Sequence, residues 1–223
     1  MKKPFSIAID GPAGAGKSTV AKAVARELGA MYLDTGAMYR AFALAIIRMG
    51  IDPKDREAVA RRLDDVDVSV EFVDGAQRIF IGGEDVTDAI RAPEVSAAAS
   101  DVSAGPAVRR RMVALQRRIA EGHDVVMDGR DIGTDVLPNA TLKVYLTASA
   151  EERARRRFLE LQQKGLPDTY EKVLEDIRAR DWQDMHREAS PLRVAEGAVV
   201  LDTSELELEE SVGKMLELAR RVI

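Results

Sequence analysis

A segment near the start of the chain has the residue types and spacing of a phosphate cradle. It reads Gly-Pro-Ala-Gly-Ala-Gly-Lys-Ser over residues 11–18 and matches the pattern G-x-x-x-x-G-K-[ST] at every fixed position. Backbone N–H groups can surround a phosphate only where side chains leave room, which explains the small residues. Lys17 should reach the β- and γ-phosphates, and the Ser18 hydroxyl should bind Mg²⁺. The residues predicted to hold a nucleoside triphosphate are Gly11, Pro12, Ala13, Gly14, Ala15, Gly16, Lys17, Ser18 and Thr19.

The alternative is a glycine-rich turn that binds nothing, and the flanking sequence weighs against it. A short apolar run precedes the segment and a helical pattern follows it, which is the context that this motif requires. A GTP switch protein would also need a guanine-reading Asn-Lys-x-Asp, but the single asparagine, Asn139, is followed by Ala140. With 223 residues there is little room for the modules of large ATPases. Of the classes of protein that use this motif, a small phosphotransferase fits the sequence best.

A kinase for a charged small molecule must hold a second anion beside the first and keep water from the phosphoryl group. Residues 34–40, Asp-Thr-Gly-Ala-Met-Tyr-Arg, follow the second predicted strand. They fall at the sheet edge where α/β proteins bind ligands. Thr35 and Arg40 are therefore candidates to bind the acceptor anion. The alternative is an ordinary helix N-cap with a solvated arginine.

A second charged segment ends a buried predicted strand. Residues 128–131 place Asp128, Arg130 and Asp131 around one glycine. Charges at a strand end cost free energy unless they have ligands or partners. This segment is therefore either part of the acceptor site or a structural ion pair.

Two further clusters lie on predicted helices. Arg180, Asp184 and Arg187 are spaced i, i+4 and i+7, so they project from one helix face. Two guanidinium groups beside a carboxylate suit a phosphate and a ribose hydroxyl, and they equally suit a salt-bridge ladder on a solvated face.

The other cluster is Glu-Glu-Arg-Ala-Arg-Arg-Arg at residues 151–157. Spacing i, i+4 predicts that Glu151 pairs with Arg155 and Glu152 with Arg156, which is a routine surface ladder. The arginines exceed what two glutamates neutralise. Because Gly165 and Pro167 break the helix, we predict a lid at residues 153–168.

Strand-like and helix-like patterns alternate along the chain. Short buried runs occupy residues 5–10, 31–33, 124–127, 142–146 and 198–201, and helical spacing occupies residues 18–28, 37–49, 107–121, 150–164, 169–186 and 206–222. This alternation predicts an α/β fold, a parallel sheet flanked by helices on both faces.

One segment does not follow the alternation of strands and helices. Residues 66–86 alternate with period two around Asp74 and Gly75, which indicates an antiparallel hairpin. We therefore predict a core of residues 1–35 and 104–223, interrupted by an inserted subdomain of residues 36–103 that contains a small antiparallel sheet.

Composition excludes several classes of protein. With 33 basic and 38 acidic side chains the net charge is −5, which does not suit electrostatic coating of nucleic acid. The longest apolar run, residues 41–47, is too short to cross a membrane. The absence of cysteine excludes disulfides and thiol-ligated metals, and suits a reducing cytoplasm.

Four blocks together resemble the bacterial cytidylate (CMP) kinase family of P-loop nucleoside monophosphate kinases. They are Gly11-Pro-Ala-Gly-Ala-Gly-Lys-Ser-Thr19, Leu33-Asp-Thr-Gly-Ala-Met-Tyr-Arg40, Asp128-Gly-Arg-Asp-Ile-Gly-Thr134 with Pro138, and Arg178-Ala-Arg-Asp181 with Asp184 and Arg187. The resemblance covers essentially the whole chain. It implies a P-loop core, a nucleoside-monophosphate domain enlarged by a small antiparallel sheet, and a short arginine-bearing lid.

The resemblance also assigns residues. It implies that Thr35, Arg40, Arg130 and Arg187 surround the acceptor phosphate, that Arg180 and Asp184 hold the sugar, and that Ser100, Arg109 and Asp131 read the cytosine. Cytosine presents acceptors beside an amino donor, and Arg109 and Asp131 complement both. Thr35 stands where serine is commoner in the family, and its hydroxyl is retained.

The implied reaction is reversible transfer of the ATP γ-phosphoryl group to CMP and dCMP, with Mg²⁺. Lys17, Arg130 and Arg187 would supply positive charge, and the lid arginines Arg156 and Arg157 would add to it on closure. A related kinase for UMP, AMP or another small acceptor stays open, as does an ATP-dependent binding or regulatory module. We expect a monomer with no nucleic-acid or membrane partner.

Overall fold

The computed structural model describes residues 3–163 and 165–223. Its main sheet is parallel, with five strands in the order β2-β6-β1-β7-β8. The strands are β1 (Ser6–Asp10), β2 (Met31–Asp34), β6 (Val125–Gly129), β7 (Leu142–Thr147) and β8 (Val199–Asp202). Helices cover both faces, so the predicted fold class is confirmed.

Alternate residues of the central strand β1 pack on opposite faces of the sheet. Ile7 and Ile9 belong to an apolar cluster with helices α1 (Lys17–Leu28) and α8 (Leu208–Arg220). Ala8 faces the other cluster, formed with α2 (Thr35–Arg48), α4 (Pro93–Ser103) and α5 (Pro106–Ala120). The remaining helices are α3 (Arg56–Arg61), α6 (Ala150–Gln163) and α7 (Tyr170–His186). Burial on both sides explains why the three middle residues of β1, Ile7 to Ile9, are all apolar.

The predicted hairpin is present in a separate antiparallel sheet. It is formed by β3 (Val68–Val73) and β4 (Ala76–Ile81), and a two-residue strand, β5 (Glu84–Asp85), adds to β4. Asp74 and Gly75 connect β3 to β4 with φ values of 52° and 75°. Positive φ at both turn residues is the geometry that a two-residue hairpin loop favours.

Two helices within residues 36–103 were not predicted. Helix α3 has six residues, too few for a periodic pattern to stand out. Helix α4 begins with Pro93 and buries Val95, Ala98, Ala99 and Val102 at helical spacing. Its alanines and serines give little hydrophobic contrast. The apolar cluster continues from this region onto the main sheet, and the subdomain boundaries stay a prediction.

Strand register determines which side chains meet at the carboxyl edge of the main sheet. Asp10 of β1 is aligned with Gly129 of β6, and Asp34 of β2 is aligned with Asp128. The segments that follow β1, β2 and β6 therefore leave the sheet side by side, at the edge where ligands bind in this architecture. Within the described residues, no helix is long and apolar enough to span a membrane.

Candidate active site

The glycine-rich loop after β1 is compact because its first residue lies against the main chain of β7. A Cβ atom on Gly11 would be 1.9 Å from the carbonyl oxygen of Leu146, and Gly11 has a φ of 148°. Only glycine fits there. The loop turns around Lys17, whose Nζ donates a 2.7 Å hydrogen bond to the carbonyl oxygen of Pro12. The amino group is thus held inside the loop, at the N-terminus of α1.

Asp128 gathers the side chains beside this loop. Its carboxylate accepts hydrogen bonds of 2.8 Å from the Ser18 hydroxyl and 2.8 Å from the Tyr32 hydroxyl. Burial and the nearby charge of Asp34 raise the pKa of Asp128 to about 6, against the opposing effect of Lys17. Burial and the charge of Arg130 lower the pKa of Lys17 to about 7. Buried charged groups with shifted pKa values are typical of functional sites.

The Ser18 hydroxyl and the Asp128 carboxylate fit a magnesium ion. Both are oxygen donors, which Mg²⁺ prefers, and their oxygens lie 2.8 Å apart beside the phosphate loop. Magnesium typically takes only one or two protein ligands and completes its shell with phosphate oxygens and water. Ser18, as predicted from the sequence, and Asp128 in addition are the residues that would hold it.

A cavity of about 630 Å³ opens on the α8 side of the loop. Its walls are the loop itself, the connection from Thr203 to Leu208 after β8, and one face of α6. This volume lies within the range of ligand cavities, roughly 300–1,000 Å³. Arg156 forms part of the wall, and donates hydrogen bonds of 2.8 Å to Glu152 and 2.8 Å to the carbonyl oxygen of Thr203.

A second cavity opens on the other side of Lys17, and it collects the acceptor residues predicted from the sequence. Gly14, Lys17 and Ser18 line both cavities. The predicted acceptor residues that line the second cavity are Thr35, Arg40, Ser100, Arg109, Arg130, Asp131, Arg180, Asp184 and Arg187. The structure therefore brings all nine together, from α2, α4, α5, α7 and the segments after β6 and α7. Arg187 follows the last residue of α7 in an extended conformation, so it does not lie on the helix face predicted from the spacing.

Asp184 balances the positive charge inside this acceptor cavity. It accepts a 2.8 Å hydrogen bond from Nε of Arg130 and lies 3.9 Å from Nη1 of Arg187. Burial acts to raise the pKa of Asp184, but these guanidinium groups, together with Arg180, hold it below its ordinary value. Burial lowers the pKa of both Arg180 and Arg187. Arginines outnumber the carboxylates that face them, which favours an anionic ligand.

Several buried donors in the acceptor cavity make no hydrogen bond to the part of the protein that the structure describes. Nε of Arg40, Nε of Arg180 and Nη2 of Arg187 make no hydrogen bond within residues 3–163 and 165–223. Leaving a buried donor unpaired costs about 1–3 kcal/mol or more for a charged group. Such atoms indicate a bound anion in the functional state.

The three predicted base readers line the same acceptor cavity. Arg109 and Asp131 form a buried ion pair, and the Arg109 guanidinium lies 5.4 Å from the ring centre of Tyr39. The Ser100 hydroxyl donates a 3.2 Å hydrogen bond to Oε1 of Gln183 on α7. These side chains combine hydrogen-bond donors with a carboxylate acceptor.

The start of α2 combines an N-cap with the charged side chains, which the sequence offers as alternatives. Asp34, not Thr35, caps the helix, because its carboxylate accepts a 2.9 Å hydrogen bond from the backbone N–H of Ala37. The same carboxylate pairs with Arg40 at 3.0 Å. The Thr35 hydroxyl donates a 2.7 Å hydrogen bond to the carbonyl oxygen of Asp128. The cap and the charged cluster therefore coexist.

Comparison with known proteins decides the family. The sequence profile of the family described as cytidylate kinase matches residues 7–221. The chain belongs to the cytidylate kinase family. It is 54% identical to the cytidylate kinase of Caldicellulosiruptor bescii, over 100% of this chain and 98% of the relative. It is 52% identical to that of Mycolicibacterium paratuberculosis, over 99% and 97%. The resemblance seen in the sequence is confirmed.

A solved structure shows the same fold at low identity. A gluconokinase from Sinorhizobium meliloti matches with a TM-score of 0.50 and 18% identity, over 100% of this chain and 95% of that one. Membership of the cytidylate kinase family makes the protein a nucleotide kinase, as predicted.

In this member of the cytidylate kinase family, the ion pairs of α6 confirm the predicted pair of Glu152 with Arg156 but not that of Glu151 with Arg155. Glu151 pairs with Arg178 of α7 at 2.7 Å, so the predicted pair with Arg155 is wrong. Glu152 accepts hydrogen bonds from both Arg155 and Arg156. An i, i+4 spacing allows a pair, but α7 lies close enough to compete for Glu151.

Arg157 does not face either cavity. It is half-exposed and pairs with Glu160 at 3.1 Å, one turn further along α6. Its predicted part in catalysis therefore stays a prediction, whereas Arg156 lines the cavity on the α8 side of the loop (the donor cavity).

Three residues that position the kinase site were not found from the sequence. Asp10 accepts two 2.7 Å hydrogen bonds, from the backbone N–H groups of Ile132 and Gly133. Gln77 of β4 bonds the backbone of Asp34, and Arg153 lies beneath the phosphate loop. The partners of these side chains are largely backbone atoms, so spacing gives little sign of them. Burial raises the pKa of Asp10 to about 6, against the effect of its two backbone donors.

Proposed function

We propose that this protein catalyses reversible transfer of the γ-phosphoryl group of ATP to the 5′-phosphate of CMP and of dCMP. The products are ADP and CDP or dCDP. The observation that carries the proposal is the shared wall between the two cavities. Gly14, Lys17 and Ser18 line both, so a donor phosphate on one side lies next to an acceptor phosphate on the other.

The phosphate loop would hold ATP by its backbone N–H groups, by Lys17 and by the N-terminus of α1. Ser18 and Asp128 would hold Mg²⁺, which neutralises charge on the β- and γ-phosphates when bound. The connection from Thr203 to Leu208 would enclose the rest of the nucleotide. Its position beside α6 supports this, because Arg156 already bridges the two by its bond to Thr203.

Positive charge and alignment would lower the barrier. The transition state of phosphoryl transfer is loose, with charge spread over the equatorial oxygens, so the protein needs no covalent nucleophile. Lys17, Arg130 and Arg187 would surround the transferred group. Arg156 would add charge from the lid, and Arg157 would do so only after the lid moves.

The acceptor would lie with its phosphate towards Lys17 and its base towards Arg109. Thr35, Arg40, Arg130 and Arg187 would bind the phosphate, with the unpartnered nitrogens of Arg40 and Arg187 supporting that role. The sugar-binding residues would be Arg180 and Asp184, and the cytosine-reading residues would be Ser100, Arg109 and Asp131. Asp131 can accept a hydrogen bond from the exocyclic amino group that distinguishes cytosine from uracil.

We also propose that the enzyme acts as a monomer in the cytoplasm, without nucleic-acid or membrane partners. Residues of a single chain line both cavities, which supports a complete site in one subunit. ATP and nucleoside monophosphates are cytoplasmic metabolites, and a chain without cysteine suits a reducing compartment.

An assay of ADP formation with four acceptors tests the proposal. ATP, Mg²⁺ and the enzyme are combined separately with CMP, dCMP, UMP and AMP, and a sample without acceptor measures hydrolysis. We expect rapid ADP formation with CMP and dCMP and much slower formation with UMP and AMP. Equal rates with all four would contradict the base-reading assignment. ATP binding without ADP formation from any acceptor would favour a binding or regulatory module instead.

A further inference from the structure

One buried arginine connects the phosphate loop to the helix that carries acceptor residues. Arg153 lies in the first turn of α6 and is only 4% exposed. Its Nη1 donates a 3.0 Å hydrogen bond to the carbonyl oxygen of Ala13 in the loop. Its Nε donates a 2.9 Å hydrogen bond to the carbonyl oxygen of Ala148, just after β7. The guanidinium group is thereby fixed beneath the loop.

The other edge of the same guanidinium group binds α7. Nη1 and Nη2 of Arg153 donate hydrogen bonds of 3.0 and 2.6 Å to the two carboxylate oxygens of Asp181. A bidentate arginine–carboxylate pair fixes orientation as well as distance. Asp181 directly follows Arg180 and precedes Asp184 by three residues, and both of those line the acceptor cavity.

From this geometry we infer that Arg153 and Asp181 are positioning residues for phosphoryl transfer. They hold the acceptor-binding part of α7 in register with the donor phosphate loop. Neither lines the acceptor or the donor cavity, so both act through other residues. The inference rests on the proposed function, because it concerns the alignment of its two substrates. Misplacing reacting groups by about 1 Å can lower a rate about 100-fold.

A matched control lies on the solvent side of the same two helices. Glu151 of α6 and Arg178 of α7 form an exposed pair at 2.7 Å, without contact to the loop. If Arg153 and Asp181 served only to keep α6 against α7, breaking the exposed pair would have a similar effect. If they align the site, breaking the buried pair would lower CMP turnover and breaking the exposed pair would not.

Asp181→Asn is the decisive variant, because it keeps the shape of the side chain and leaves the bond from Arg153 to Ala13. We expect kcat/KM for CMP to fall about 10- to 100-fold, with less than about a threefold change in the Kd of a non-hydrolysable ATP analogue. Arg153→Ala, which also removes the loop contact, should weaken both CMP turnover and binding of the analogue. Glu151→Gln should match the wild type in kcat/KM for CMP and in the Kd of the analogue.

Unchanged CMP kinetics in Asp181→Asn would overturn the inference. The inference would also be overturned if Asp181→Asn lowered CMP turnover and weakened analogue binding by the same factor, together with a lower Tm. A merely structural role predicts that pattern. An equal effect of Glu151→Gln would overturn it as well. The wild-type enzyme is the reference in each case: if it does not turn over CMP, the proposed function fails and this inference with it. If Arg153→Ala does not fold, Asp181→Asn and Glu151→Gln decide.

Discussion

Arg109 of α5 and Asp131, just after β6, form an ion pair that is almost completely buried in the wall of the acceptor cavity. Their residues are 3% and 4% exposed, and Nη2 of Arg187 lies 3.7 Å from the other carboxylate oxygen of Asp131. Buried ion pairs seldom add much stability, because desolvation offsets their attraction. Through the single carboxylate of Asp131, the pair connects Arg109, a proposed base reader, to Arg187, which is proposed to bind the acceptor phosphate.

Replacing Asp131 should therefore alter base selection. Asp131→Asn removes the carboxylate that would accept a hydrogen bond from the amino group of cytosine. We expect kcat/KM for CMP to fall about 100-fold and that for UMP to change much less, so that the two values converge. Coupled ADP release with CMP and UMP measures both constants.

The control for base selection is Arg110→Ala. Arg110 is the exposed neighbour of Arg109 on α5, and its loss should leave both constants unchanged. If Asp131→Asn kept the wild-type preference for CMP over UMP, Asp131 would not be a base reader.

Arg187 should contribute mainly to the rate of transfer. Arg187→Ala removes a guanidinium group aimed at the acceptor phosphate, and we expect kcat to fall about 100- to 1,000-fold, comparable to the loss of an oxyanion donor. ATP binding should persist, because Arg187 lines only the acceptor cavity. Steady-state kinetics measure kcat, and calorimetric titration with an ATP analogue measures nucleotide binding separately. Arg193→Ala, at an exposed position in the following segment, is the control. A variant at Arg187 with normal turnover would remove that residue from the mechanism.

Gln77 should matter for acceptor binding although it lies in the small sheet. Its Oε1 accepts a 2.7 Å hydrogen bond from the N–H of Asp34, and its Nε2 donates a 3.2 Å bond to the carbonyl oxygen of the same residue. Asp34 in turn caps α2 and pairs with Arg40. For Gln77→Ala we expect KM for CMP to rise about tenfold with KM for ATP unchanged.

Arg78→Ala is the control for Gln77, because Arg78 is adjacent on β4 and pairs with Asp85 at the surface. Its kinetics should equal those of the wild type. A KM for CMP that is unchanged in Gln77→Ala would show that the small sheet does not position Arg40 through Asp34.

Asp10 should make the folded state more sensitive to pH. Its pKa is about 6 in the folded protein, above the ordinary value of 3.8, chiefly because of burial. Between these values the folded state binds more protons at Asp10 than the unfolded chain, so its contribution to the free energy of unfolding falls as pH rises from about 4 to about 6. The full change is about 3 kcal/mol.

Asp10→Asn should lack this contribution. Urea unfolding of both proteins from pH 4.5 to 7.5 gives the difference in their free energies of unfolding, in which groups common to both cancel. As pH rises through this range, we expect the free energy of unfolding of Asp10→Asn to increase relative to that of the wild type. Two parallel pH profiles would contradict a raised pKa at Asp10.

The donor side of the site was predictable from sequence because its chemistry is local. The phosphate loop uses consecutive residues between a strand and a helix, so one pattern identifies it. The acceptor side uses Arg40, Arg130 and Arg187, which are distant in sequence. Their charge clusters were visible, but physical reasoning left alternatives open for each. The family resemblance assigned all three to one site. The aligned ends of β2 and β6 explain why Arg40 and Arg130 lie close together, whereas Arg187 reaches the site from the end of α7.

The positioning side chains were harder to predict. Gln77 bonds to main-chain N–H and carbonyl groups, which every residue carries, so no residue type marks its partner. Arg153 bonds to two main-chain carbonyl groups and also to Asp181, which lies 28 residues away on another helix. Asp10 likewise binds two backbone N–H groups from a segment more than 100 residues away. The pair of Glu151 with Arg178 shows the same limit, because helix packing selected a partner that spacing within one helix could not reveal.

Direct transfer between the two cavities is tested by following the phosphoryl group itself. ATP labelled in its γ-phosphate is incubated with Mg²⁺, CMP and the enzyme, and the products are separated and counted. The shared wall at Lys17 predicts that the label appears in the β-phosphate of CDP as fast as ADP forms. Label recovered as inorganic phosphate, or ADP formation that does not depend on CMP, would contradict it.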